Sequence, residues 1–481
     1  MKLTFFLTPA QPYSKRKNGV KPAWSRSNLL AGLSLTAGLM LGPAPAYAVP
    51  SFARQMNMQC IACHSEFPLL TEFGRQFKLG GYTLSTLLDG PPPVAIMLQP
   101  SFTHTQTGQP GGAAPGYGDN NNRALTQASI FYAGRLFGPY TSKIFGTDAA
   151  AFANKFGIFL QTTYDGVGKA WSWDNAELRF ADTGTVGKHS LTYGTYLNNN
   201  PTLQDPWNST PAWGFPFTGS GLAPGPAAAT FIDGATAQQV GGLGAYAMVD
   251  NTFYADVAAY HTLGERFQKS LGVDPVNEAQ ISGLAPYWRL ACVRPLANGT
   301  WQIGTFGIMA DTYPGREQSA GHDRITDVGF DTQYQTAQGA HDLTALLSWV
   351  HERQAWRASE ALGSTSNAVD SLWTAKATVA YLYDKTYGLT AQYFAIDGSR
   401  DELLYAGSRT GSPRSDGWVL QANYLPLNKA GGPGFWPRSN VKFSLQYTIY
   451  NHFDGAAVNY DGAGRNARDN NTTYLEAWIL F

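Results

Sequence analysis

Charge is scarce in this 481-residue chain, where Asp, Glu, Lys and Arg together make up 14%, against about 25% in an ordinary soluble domain. Long apolar runs are missing too. No stretch after residue 48 reaches the roughly 20 consecutive apolar residues that a membrane-spanning helix needs, which excludes a helical membrane protein. The glycines lack a three-residue period, which excludes collagen, and an aromatic content of 13% is too rich for a disordered chain. Acidic residues are absent from the first 48 positions, which hold six basic ones. Without that stretch, 28 basic residues face 34 acidic ones. A mildly acidic mature chain has no concentrated basic surface for phosphates, so nucleic acid is excluded as a partner. A β-rich chain remains, either soluble or in an outer membrane.

The N-terminus has the layout of a secretory signal. A basic region runs to Arg26, an apolar region from Leu29 to Leu41, and Ala46-Tyr47-Ala48 provides a small-x-small cleavage site. Residues 1–48 are therefore expected to be a signal peptide removed on export.

Cysteine is nearly absent, and two of the three stand together in Cys60-Ile61-Ala62-Cys63-His64. This is C-x-x-C-H, the attachment pattern of c-type haem: two thiols form thioethers to one haem and the adjacent imidazole becomes the proximal iron ligand. The pair would otherwise be a redox-active C-x-x-C or half of a zinc site. No second C-x-x-C or H-x-x-x-H completes a zinc tetrahedron, and no βα alternation surrounds the motif as in thioredoxin-like proteins. One covalent haem c is therefore expected at Cys60, Cys63 and His64. The sixth ligand is open among Met56, Met58, Met97 and His104, with Met97 or His104 preferred. Cys292 reads as an inert, half-buried thiol.

The haem segment, 49–93, is near the size below which a chain needs metals or partners to fold. A helix over 68–79, with apolar residues at 69, 70, 73 and 77, is expected to cover one side of the haem. The rest of the chain must complete the pocket.

From Val94 onward the chain divides into segments of about ten residues with period-two alternation, bounded by Gly, Asn, Asp and Pro. Val441, Phe443, Leu445, Tyr447 and Ile449 alternate with mostly polar neighbours. Strands are expected near 94–105, 124–137, 155–165, 174–182, 188–197, 236–249, 252–262, 283–295, 300–311, 324–336, 341–352, 370–383, 387–397, 417–426, 439–451 and 471–481. Short turns at 250–251, 298–299 and 384–386 alternate with long loops at 106–123, 198–235, 263–282, 353–369, 398–416 and 452–470. The stretch 138–154 is a longer exception. An all-β, sixteen-stranded outer-membrane barrel over 94–481 follows, with Phe481 ending the closing strand. The connection 198–235, with Trp207, Trp213, Phe215 and Phe217, is expected to fold inward as a constriction.

Ser51-Phe52-Ala53-Arg54-Gln55, the C-x-x-C-H, Phe73-Gly74-Arg75-Gln76-Phe77-Lys78 and Gly81-Tyr82 together resemble the fused monohaem cytochrome-porins of iron-oxidising bacteria. Thr163-Tyr164-Asp165-Gly166, Trp173-Asp174-Asn175, Asn199-Asn200-Pro201-Thr202 and the stretch from Asp205 to Trp213 carry the same likeness. The resemblance implies an outer-membrane conduit taking electrons from extracellular Fe(II) to periplasmic cytochromes or other redox carriers, and a single haem can bridge an apolar band about 25 Å tall only if the haem segment is inside the lumen. The competing readings are a conduit for another extracellular donor and a diffusion porin with a structural haem. No P-loop, H-E-x-x-H or G-x-S-x-G points to a hydrolytic enzyme.

Overall fold

A computed structural model describes residues 51–56, 58–84, 93–275, 280–430, 432–433 and 439–481. The expected signal peptide, and residues 49–50 and 85–92 of the haem segment, lie outside the described residues. From Val94 the chain forms sixteen antiparallel strands, each paired with its neighbour in sequence, and β1 (Val94–Thr105) pairs with β16 (Thr472–Leu480) to close a barrel. The last residue completes the seam: Phe481 N donates to Ile96 O at 3.0 Å and Ile96 N to Phe481 O at 2.7 Å.

Alternation along each strand sorts side chains between two environments. In β7 (Phe253–Thr262), Phe253 is 62% and Val257 61% exposed on the outside, while Tyr254 at 3% and Asp256 at 1% are buried in the lumen. In β15 (Asn440–His452), Phe443, Leu445 and Tyr447 face out, and Lys442, Ser444 and Gln446 are buried inside. A soluble barrel has the opposite arrangement. Apolar outside and polar inside is the pattern of a barrel set in lipid.

The connections alternate in length as expected. At one end, Asp250-Asn251 and Asp384-Lys385 turn with φ near +50° at both residues, the signature of tight hairpins. At the other end the loops are long. The long-loop end has one departure and the short-turn end two, one of them the connection 425–439 before β15. The β3–β4 connection at the long-loop end is only residues 166–169, where Gly166 packs directly on the Leu125 carbonyl. At the short-turn end, 136–155 holds helix α3 (Thr141–Ala153) between β2 (Asn122–Arg135) and β3 (Phe156–Asp165). The strand expected over 236–249 begins later, at Val240, because Thr236, Gln238 and Gln239 still belong to the preceding loop.

That loop, 199–239, folds into the lumen. Trp207 and Phe215 are buried, Ile232 N donates to Asp327 Oδ2 on the wall at 2.7 Å, and Gln392 Nε2 donates to Phe215 O at 2.7 Å. Residues 51–84 fill the short-turn end. Ser51 Oγ donates to Ala133 O at 2.9 Å, Lys442 Nζ to Phe67 O at 3.1 Å, and Gln76 Nε2 to Asn251 Oδ1 at 3.4 Å. Each partner on the barrel lies at or next to that rim.

The outward face generates a test. Val257→Arg at mid-strand should cost about 2–4 kcal/mol of stability in urea unfolding from phospholipid vesicles. A water-exposed surface site would change by no more than about 0.5 kcal/mol, and a result in that range would contradict the lipid-facing assignment.

Candidate functional site

The C-x-x-C-H segment folds as a single helical turn. Cys60–Ala62 is a 3-10 turn, and the N–H groups of Cys63 and His64 both donate to Cys60 O, at 3.2 and 3.0 Å. Residues at i, i+3 and i+4 of such a turn share one side, so Cys60, Cys63 and His64 are presented together. The chain then reverses: Ser65 N donates to Leu69 O at 3.1 Å and Leu70 pairs alongside His64. Because residues 65–70 make this return, the helix expected over 68–79 starts later, as α2 (Glu72–Leu79).

Thr71 joins the turn to the helix. Its N–H donates to Cys63 O at 2.9 Å and its hydroxyl to Ala62 O at 2.6 Å, while the same hydroxyl accepts from Gly74 N at 3.2 Å as the N-cap of α2. Gly74 lies directly against the motif: a Cβ there would stand 2.2 Å from the Cys63 carbonyl oxygen. Neither role was evident from the sequence, although a threonine before an acidic first turn is an N-cap signal.

The three motif side chains suit thioether attachment and iron ligation. Cys60 and Cys63 are free thiols, not a disulfide. Burial, with the neighbouring Cys60 thiol adding to it, pushes Cys63 up to about 11. Burial pushes the His64 imidazole down to about 4, with the Pro68 and Leu69 carbonyls opposing the shift. The ring is therefore neutral at ordinary pH, as a metal ligand must be. Its Nδ1 is buried without a hydrogen-bond partner. A donor set of two free thiols and a neutral imidazole on one helical side fits a c-type haem. Among the described residues, no cluster of three or more His, Cys, Asp or Glu suits a metal ion held by protein ligands alone.

Of the candidate distal ligands, Met97 is brought to the same end of the lumen. It is buried with Phe131 against Trp478 and Leu480, which also pack around Phe67, three residues beyond His64. His104 is not brought there. It lies near the far end of β1, faces the opposite way from buried Thr103 and Thr105, and hydrogen bonds Asn121 Oδ1 at 2.9 Å. Met56 and Met58 follow α1 (Ser51–Gln55) and are half-buried. Cys292 faces outward on β8 (Ala285–Leu296) and is half-buried.

The motif is held against the lumen loop and the wall by buried polar contacts. Lys78 Nζ on α2 donates to Asp205 O at 2.6 Å and Asn208 Oδ1 at 3.0 Å and lies 4.4 Å from the centre of the Trp213 ring. Burial pushes Lys78 down to about 7, against the pull of Glu177 and Asp205. Burial would raise Asp205, but Arg289 and Lys78 outweigh it and hold the carboxyl below its ordinary range. Arg289 also grips Asp331 through two bonds of 2.8 and 2.9 Å, and Arg179 pairs with Glu177 at 2.9 Å while donating to Lys78 O at 2.7 Å. Asn208 Nδ2 reaches Pro68 O at 3.0 Å, and Glu66 accepts from Asn423 on β14 (Ser415–Tyr424). Beyond the loop, towards the long-loop end, an open cavity of about 890 Å³ is bordered by Asp233, Lys376, Tyr405, Tyr450 and Asp454.

Fold and site together define a closed sixteen-stranded barrel whose lumen holds a C-x-x-C-H segment and an inserted loop. Neither a protein family model nor a curated protein matches the chain. Among solved structures it is similar to an anion-selective porin from Comamonas acidovorans, with 10% identity over 81% of this chain and 99% of that one and a TM-score of 0.43. It is also similar to the outer membrane channel DcaP of Acinetobacter baumannii, at 11% identity over 81% and 97% and a TM-score of 0.42. For OmpT, an outer membrane protein of Vibrio cholerae, the values are 11%, 83% and 99%, and 0.40.

Gly74→Val should displace the Cys63 carbonyl and with it the shared side of the motif. We expect exported, barrel-folded protein with haem-linked peroxidase staining reduced at least several-fold. Wild-type staining would show that the helix contact does not position the motif.

Proposed function

We propose that this chain is an outer-membrane c-type cytochrome fused to a porin-like barrel, carrying electrons from extracellular Fe(II) to periplasmic cytochromes or other redox carriers. The observation that supports it most strongly is the place of the C-x-x-C-H turn: it is part of the segment that fills one end of the lumen. On this reading the short-turn end faces the periplasm and the long loops face outside, as in bacterial outer-membrane barrels. The outward apolar faces meet lipid.

When bound, the haem supplies a one-electron carrier that side chains alone do not offer. The chain's own residues attach and tune it. Cys60 and Cys63 would provide the thioether sulfurs and His64 an iron ligand. Met97, buried at the same end, would be the preferred second ligand, and a thioether there would raise the potential relative to a second imidazole. Thr71 and Gly74 fix the motif on α2, and Lys78 and Asn208 couple it to the lumen loop.

Traffic of electrons suits this lumen better than traffic of solutes. Residues 51–84 and 199–239 both lie across the bore and share a buried, hydrogen-bonded interface, whereas a diffusion porin keeps a water-filled channel. The cavity at the long-loop end gives a soluble donor room to approach from outside.

Anaerobic stopped-flow mixing of the oxidised, detergent-purified protein with Fe(II) tests the donor. The c-haem α band should appear rapidly, with a rate that saturates with iron. A haem that stays oxidised with Fe(II) but reduces with dithionite would assign the conduit to a different extracellular donor.

A further inference from the structure

Among the strand connections at the short-turn end, 136–155 is built differently from the hairpins of two or three residues beside it. It carries α3, thirteen residues with only Lys143 and Asp148 charged, kinked at Gly146 where φ is +76°. Its large apolar side chains are not in the protein core: Ile144 is 57% and Phe152 60% exposed, and Phe145 and Tyr140 are exposed as well. For a helix facing water this is an unfavourable surface.

The ring contacts show which surface α3 continues. Phe152 packs edge-on against Phe156 at 5.4 Å and against Phe180 at 6.0 Å, and those two rings touch each other at 5.2 Å. Phe156 on β3 and Phe180 on β4 (Ala170–Val186) are register partners. Both point outward, since their neighbours Gly157 and Arg179 are buried in the lumen. Phe152 therefore extends the apolar outer face of the barrel onto the helix at its rim. Phe145 packs edge-on against Phe137 at 4.7 Å, and Lys143 lies 5.9 Å from the Tyr140 ring, the mixture of aromatic and basic groups found where a bilayer meets water.

We propose that α3 lies in the plane of the membrane, with Ile144, Phe145 and Phe152 in the headgroup–acyl boundary of the phospholipid leaflet at the short-turn side. The inference rests on the barrel's outward face being lipid-facing and not on the haem. The occupant of the patch is lipid because the patch is continuous with the face that meets lipid. A docked periplasmic protein would need no such continuity.

Nitroxides on cysteines introduced one at a time at 144, 147, 152 and 257, in a Cys292→Ser background reconstituted into phosphatidylethanolamine–phosphatidylglycerol bilayers, test it. The background protein without the added cysteine serves as the blank. Thr147 is exposed and lies on the side of the helix away from Phe152. The ratio of oxygen to nickel-chelate accessibility should be several-fold higher at 144 and 152 than at 147, approaching that at 257. Equal, water-like ratios at 144, 147 and 152 with a lipid-like value at 257 would overturn the proposal and leave the membrane barrel standing. So would protection at 144 and 152 that appears only on adding a periplasmic redox protein. A water-like value at 257 itself would instead overturn the lipid-facing assignment on which the proposal rests.

Discussion

A sixteen-stranded barrel encloses more space than its own inward side chains fill, and in this molecule the filling is polar, charged and buried. That constraint governs the rest of the structure. Each carboxylate or guanidinium taken from water needs partners of good geometry, because an unpaired buried charge costs about 3–5 kcal/mol. The solution is a layer shared by three parts of the chain: Lys78 from α2, Asp205 from the lumen loop, and Arg289, Asp331, Arg179 and Glu177 from the wall. The wall pairs Arg179 with Glu177 and Arg289 with Asp331, Asp205 joins Arg289 from the loop, and Lys78 is held by loop oxygens of Asp205 and Asn208. The plug, the loop and the barrel are consequently one packing unit, although each belongs to a distant stretch of sequence.

This layer also places the chemistry. Lys78 closes the helix that Thr71 opens and on which the Cys60–His64 turn sits through Gly74. Anchoring α2 in the lumen therefore fixes the orientation of both thiols and the imidazole relative to the wall, and Met97 and Phe67 share the Trp478–Leu480 surface beside them. A segment this short has no core of its own. Its order comes from the barrel, and the barrel's bore at that end is occupied because of it.

How far this was legible in the sequence follows from the range of each signal. Period-two alternation is local, and a one-residue slip would turn every apolar side chain inward, so strand number and facing could be read directly; β1 and β7 fall within a residue of expectation. The tight turns at Asp250-Asn251 and Asp384-Lys385 are equally local. Parity along β1 also separates the two distal candidates. Met97 shares its face with Ala95 and Gln99, whereas His104 has the outward parity of Ile96 and Leu98, a distinction that reading the residues only as ligand types overlooks. The charged layer was hidden because Lys78 and Asp205 are 127 positions apart and look, in sequence, like solvated charges. Helix α3 was hidden by its Gly-Pro entry and its glycine kink, which read as a loop. The seat at Gly74 is a backbone approach that no pattern of side chains records.

The central claim is that the C-x-x-C-H turn in the plug is covalently occupied when the protein is folded in its membrane. Intact mass and thiol alkylation of the exported, barrel-folded protein test it directly. The account predicts a mass increased by one haem over the processed chain, with Cys60 and Cys63 closed to alkylation and only Cys292 available. A folded, exported barrel of unmodified mass in which Cys60 and Cys63 both alkylate would contradict it.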